Sequence, residues 1–311
     1  MADATACRKA RLAVTEPETR RHGSGDSADS VRGMDDFRLA YDDHPGDGVP
    51  VVLLHGWPGD RQDYRAVVPL LAGRRVLVPD LRGFGDTTNP EGADATAYGV
   101  DGQAAEVIAL VEATTGGPVL LGGYDVGSRT AQAVATARPD LVRGVVISPP
   151  VPGVGRRILG PDPQREFWYQ AFHRLPLSER LLDGNRAAVR TYLEHFWAHW
   201  SGPDYTPEPA QLDRLADAYA RPGAFVRSIN WYRSGSAAVA RALAEQTPDP
   251  ADRITPPTTI LWPEHDPLFS RDWSDKVDDW FAAAELRFVD GIGHFVPLEA
   301  PEVFAAALRE H

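Results

Sequence analysis

"LLGGYDVGSRTAQ", residues 120–132, reads as an apolar strand running into a helix, through a turn in which Gly123 and Gly127 stand two places either side of Asp125. A G-x-nucleophile-x-G turn between strand and helix needs small residues because its backbone is strained and tightly packed, and it holds the central side chain out over the sheet. Serine usually occupies that place; here it is a carboxylate. No serine of the chain has glycine two residues away on both sides, and Ser128 falls inside the expected helix. An esterase or peptidase is thereby disfavoured.

On either side of this stretch, "FRLAYDD", "VPVVLLHG", "RVLVPDLRG", "PVLLGGYD" and "RGVVISPP" are short apolar runs closed by Gly, Pro or Asp, which predict buried strands of a mostly parallel sheet. Helical patterns fall between the later ones, at 98–115 and at 128–138, the second stopped by Pro139. From about 151 to 250 strand patterns cease and aromatics crowd the sequence, which predicts a helical insertion. The alternation resumes with "PPTTILWPEHDPL", a helix around 272–283, "AELRFVDGIGHF" and a last helix over about 300–310. Residues 34–150 and 251–311 are therefore expected to form one wound α/β core. The 151–250 insertion is expected to lie as a lid over the carboxyl ends of its strands, where open α/β sheets bind ligands. Residues 1–33 are polar and aperiodic and are expected to be a disordered extension.

The 311 residues carry 44 acidic and 32 basic side chains, a formal net charge of -12 without an acidic run, which argues against a nucleic-acid or anionic-membrane partner. Cys7 is the only cysteine, so an intrachain disulfide and a cysteine metal site are excluded. No stretch reads as an apolar leader or a bilayer span, and a cytoplasmic protein is expected.

A carboxylate with an ordinary pKa of about 3.9 is already anionic at neutral pH and needs no base before it attacks. That suits displacement at an sp³ carbon, which leaves an alkyl ester on Asp125. Hydrolysing the ester requires a base for water and a site for the oxyanion. His294 in "GIGHFVPLEAPE" and Asp266 in "WPEHDPLF" each follow a late strand. His294 is expected to deprotonate water, and Asp266 to orient the imidazole and stabilise its charged form. Glu264, two residues from Asp266, is the competing acid. The backbone N–H groups of Val126, after the elbow, and of Trp57, in "HGWPG", are the expected oxyanion donors.

"HGWPG" (55–59), "DLRGFGDT" (80–87), "GYDVGS" (123–128), "EHDPL" (264–268) and "GIGHFVPLEAPE" (291–302) occur in an order that resembles an epoxide hydrolase of the α/β-hydrolase fold. The resemblance covers essentially everything after Met34. It implies that fold with a helical cap, no metal or organic cofactor, and an apolar epoxide and water as substrates. It also implies two cap tyrosines that hold the epoxide oxygen. "FWYQAF" (167–172) and "INWYRS" (229–234) resemble the two cap segments that carry them, which puts those roles on Tyr169 and Tyr232. The Trp57-Pro58 bond resembles a cis bond of the family loop, although trans is the default from sequence alone.

Haloalkane and fluoroacetate dehalogenases share an aspartate nucleophile, so the elbow alone does not separate them. The former typically place an indole N–H, and the latter an arginine, just after the nucleophile; Val126 is neither. Blander readings exist for each residue: Asp125 as a turn former, His294 as a satisfied core histidine, the two tyrosines as packing within an aromatic insertion. A ligand-binding protein on a retired hydrolase fold is the alternative of a different class, and it typically lacks part of a triad that is complete here.

Overall fold

The computed structural model describes residues 29–32 and 37–311. Its strands are β1 (Asp29–Arg32), β2 (Arg38–His44), β3 (Gly48–Leu54), β4 (Arg74–Pro79), β5 (Val119–Gly123), β6 (Val142–Ile147), β7 (Thr258–Pro263) and β8 (Ala284–Val289). They form one sheet in the order β1-β2-β4-β3-β5-β6-β7-β8. β2 runs antiparallel to both its neighbours, and all the other pairings are parallel. Residues 1–28 and 33 of the expected extension, and residues 34–36 of the expected core, lie outside the described residues; Asp29–Arg32, expected to be disordered, instead form the edge strand β1 by pairing with β2.

The centre of the sheet follows from its composition. Val51–Leu54 and all of β5 are buried, as strands covered by helices on both faces must be. From β3 the chain goes to β4 on one side and then returns to β5 on the other. The crevice beyond such a reversal is where an open α/β sheet binds its ligand. Here β3 ends at Leu54, just before His55, and β5 at Gly123, two residues before Asp125.

Around the sheet lie α1 (Val100–Thr114), which packs on α2 (Val126–Ala137). Between β6 and β7 come α3 (Pro161–Glu166), α4 (Trp168–His173), α5 (Pro176–Leu182), α6 (Arg186–Trp200), α7 (Pro209–Tyr219), α8 (Ala224–Arg233) and α9 (Ala238–Ala244), with no strand among them. The chain closes with α10 (Val277–Trp280), α11 (Val296–Glu299) and α12 (Pro301–Glu310). Among the described residues no helix is long and apolar enough to cross a membrane.

The helical insertion is tied to the loop after β3. Trp197 Nε1 donates to the Pro58 carbonyl at 3.0 Å, Tyr219 Oη donates to the Gly59 carbonyl at 2.8 Å, and Arg214 pairs with Asp60. One expected element differs. The helix anticipated over 272–283 is a 3-10 segment, Arg271–Lys276, followed by the single turn of α10. Ile254 ends it: its N–H donates to the Trp280 carbonyl and its own carbonyl accepts from Ala282, drawing the chain into an extended bridge at Phe281.

Candidate active site

Asp125 stands between β5 and α2 with φ at +49°, the only non-glycine residue with positive φ among those described. A conformation of this kind costs about 1–3 kcal/mol and survives only where its surroundings over-determine it. The surroundings are glycines. A Cβ on Gly127 would run into the Leu54 carbonyl, and one on Gly123 into the carbonyl of Gly127. The elbow therefore closes only with these two residues, and the carboxylate is carried to the end of β3. There Asp125 Oδ1 accepts the Trp57 N–H at 2.7 Å.

His294 arrives on the loop after β8, fixed by its N–H to the Trp200 carbonyl at 2.7 Å. Its Nδ1 lies 2.9 Å from Asp266 Oδ2, and its Nε2 lies 3.6 Å from Asp125 Oδ2. Because a carboxylate only accepts, the Nδ1 proton belongs to the Asp266 contact and Nε2 faces the elbow. The Nε2 contact is an ion-pair distance, just beyond a hydrogen bond. Burial alone pulls the imidazole pKa down, but the Asp266 carboxylate and then Asp125 outweigh it and push it up to about 10. The resting imidazole is thus charged at neutral pH.

Asp266 and Glu264 differ in position. Asp266 is buried, and its other oxygen accepts the Leu268 N–H at 2.8 Å. Glu264 lies at the surface and caps the Gly291 N–H. A residue not singled out beforehand shapes the histidine loop: the two Glu299 oxygens accept from Gly202, Gly293 and Phe295 at 2.7, 2.8 and 3.0 Å.

Tyr169 on α4 and Tyr232 on α8 are both buried and line one pocket with Asp125, Val126, Phe167 and Trp231. Their rings meet edge to face with centroids 5.5 Å apart, and Tyr169 stacks parallel to the Trp57 indole at 5.7 Å. Burial, followed by the negative charge of Asp125 for Tyr169 and by Tyr169 and then Asp125 for Tyr232, pushes both phenol pKa values well up. Both are therefore protonated donors at neutral pH. His173, also unanticipated, packs against the Tyr232 ring at 4.6 Å, and burial holds its pKa well down, so it brings no charge to this aromatic cluster.

The remaining loop residues hold the frame. Leu81 N–H donates to His55 Nε2 at 3.0 Å, which places the ring proton on Nδ1 against the Gly56 carbonyl. Asp80 accepts the Arg61 and Asp86 N–H groups, and Arg82 pairs with Glu106 at 2.7 Å with both side chains buried. The Trp57-Pro58 bond is cis. Among the described residues no group of three His, Cys, Asp or Glu side chains is placed to hold a metal ion.

A family model described as "alpha/beta hydrolase fold" matches residues 49–301. The soluble epoxide hydrolase of Corynebacterium sp. (strain C12) is 27% identical, over 85% of this chain and 90% of its own. Haloalkane dehalogenase 2 of Mycobacterium bovis is also 27% identical, over 91% and 92%. The solved structure of epoxide hydrolase CorEH without ligand has a TM-score of 0.77 at 25% identity, covering 91% of this chain and 97% of that one.

Proposed function

The chain belongs to the alpha/beta hydrolase fold family, and from that premise we propose that it is an epoxide hydrolase that converts an apolar epoxide to a vicinal diol through an ester on Asp125. The observation that carries this reading is the division of labour around one pocket. Asp125 Oδ1 is held by the Trp57 N–H, Oδ2 is left facing His294, and the buried phenols of Tyr169 and Tyr232 line the same pocket.

In the first step Oδ2 attacks an epoxide carbon, the C–O bond breaks, and the ring oxygen takes a proton from a tyrosine. The product is an alkyl ester whose carbonyl oxygen is Oδ1, already on its donor. Val126 N–H, at the head of α2, is the second donor. Esterification removes the Asp125 charge, so one of the groups that raised the His294 pKa is lost; the imidazolium passes its Nε2 proton to the tyrosinate, which restores the phenol and leaves neutral imidazole as the base. It accepts a proton from water as the hydroxide adds to the ester carbon and the oxyanion forms on Oδ1; collapse then breaks the ester C–O bond, the departing alkoxide takes the proton of the new carboxyl group, and the diol leaves with the Asp125 carboxylate and charged His294 restored. Asp266 keeps the Nδ1 proton in place throughout.

Two assays test the reading. The protein with styrene oxide is expected to yield phenylethanediol, and His294→Ala with the same epoxide is expected to gain one epoxide mass on Asp125. A variant that stays unmodified while the wild type makes diol would overturn the covalent route. A dehalogenase reading has one observation in its favour: Nε1 of Trp57 is buried without an acceptor among the described residues, a donor that a halide would satisfy. Bromide release from 1-bromobutane at a rate above diol formation would favour it, and the aspartyl ester would be common to both reactions.

A further inference from the structure

The catalytic pocket is small. Its free volume is about 10 Å³, room for roughly one water molecule, so any substituted epoxide must extend beyond it. On the other side of Arg129 and Ser236, which line both spaces, lies an open cavity of about 380 Å³ beneath the return of the helical insertion to the core. Val100, Ile254 and Trp280 give it apolar walls, while Asp101, Arg241 and Asp252 place charges of both signs around it. Such a lining has no single-sign field to favour an ion, and it suits an uncharged chain.

Arg129, one of the two residues common to both spaces, is ion-paired with Glu245 on the side of the larger cavity. Arg129 is four residues beyond Asp125 on α2; its Nη1 lies 2.9 Å from Glu245 Oε1 and its Nη2 3.1 Å from the Val151 carbonyl. Both side chains are buried, yet Arg129 Nε and Glu245 Oε2 have no partner among the described residues. The pair is thus incompletely satisfied. Glu245 also has a second cation at hand, with Arg241 Nε 4.0 Å from the same oxygen. The carboxylate therefore keeps a partner when Arg129 turns aside.

We propose that the open cavity is a second chamber of the ligand site, closed by the Arg129–Glu245 pair, and that it takes the uncharged apolar tail of a linear epoxide whose ring is held at Asp125. The tail's identity rests on the epoxide-hydrolase reading; the chamber itself does not.

Filling the chamber tests this. Thr136→Trp and Ala137→Trp project from the exposed edge of α2 into its lining. For each, the ratio of kcat/KM for 1,2-epoxydodecane to that for propylene oxide is expected to fall at least tenfold; a general loss of folding lowers both substrates and leaves the ratio. Ratios within twofold of wild type in both variants would overturn the chamber. A second arm needs no turnover: dodecanamide carrying a nitroxide near its chain end is expected to quench tryptophan fluorescence saturably in the wild type, with the quench largely lost in Trp280→Phe. Absence of a saturable quench overturns the chamber even if epoxides are hydrolysed, and its presence supports the chamber even if none is. Glu245→Gln is expected to speed the rise of that quench several-fold, and an unchanged rate would remove the ion pair from the role of partition.

Discussion

At the scale of single residues, two carboxylates sit two positions apart in "EHDPL" and only their surroundings separate them. Asp266 is buried against His294 Nδ1, whereas Glu264 is at the surface on a backbone N–H. Asp266→Asn is expected to lower steady-state turnover by about 10³–10⁴-fold through the wrong imidazole tautomer, and Glu264→Gln to leave it within twofold. Measured kcat for the pair decides the matter, and equal losses would remove Asp266 from its role. The motif order made Asp266 legible beforehand, since strand ends carry the chemistry of such a sheet. The Asp125 contacts were legible for a similar reason: the glycine spacing of the elbow is a local steric requirement. Arg129 and Glu245 were not. They meet across 116 positions, and nothing periodic or compositional in either segment announces the other.

Elements place what residues then do. Tyr169 and Tyr232 come from different helices, α4 and α8, which share one pocket only because the whole insertion folds back over the end of the sheet. Each tyrosine to phenylalanine change is expected to cost about 10²–10³ in kcat, as loss of one oxyanion donor does, with the buried ring and its packing retained. If burst-phase ester formation in either variant matched wild type, that hydroxyl would not be the acid. The tie between insertion and loop can be weighed separately. Tyr219→Phe leaves the Gly59 carbonyl without its buried donor, so unfolding in urea is expected to show a loss of about 1–3 kcal/mol; a change under 0.3 kcal/mol would mean water replaces the phenol. Strands β2 to β8 and helices α1, α2 and α12 were readable from apolar runs and 3.6-residue periodicity, whereas β1 falls in the polar stretch expected to be disordered. The segment around 272–283 was not, because a non-local bridge to Ile254 captures Phe281 and overrides its local helical preference.

For the molecule as a whole, the charge at His294 couples the site to folding. The folded imidazole has a pKa of about 10, against about 6.5 when exposed in the unfolded chain. Between those values the folded state holds a proton that the unfolded state has released, so stability falls as pH rises. The contribution is complete below about pH 6.5 and is gone once pH passes about 10. Other titrating groups contribute to the same curve, so a difference is needed. His294→Gln removes the imidazole and leaves Asp125, Asp266 and Glu299, the carboxylates around it, in place. Between pH 6.5 and 10 the wild-type Tm is therefore expected to drop more steeply than that of the variant, and to converge toward it at the alkaline end. Parallel Tm curves would show that the resting imidazole is neutral, and the Asp125 ester would then not be needed to release the base.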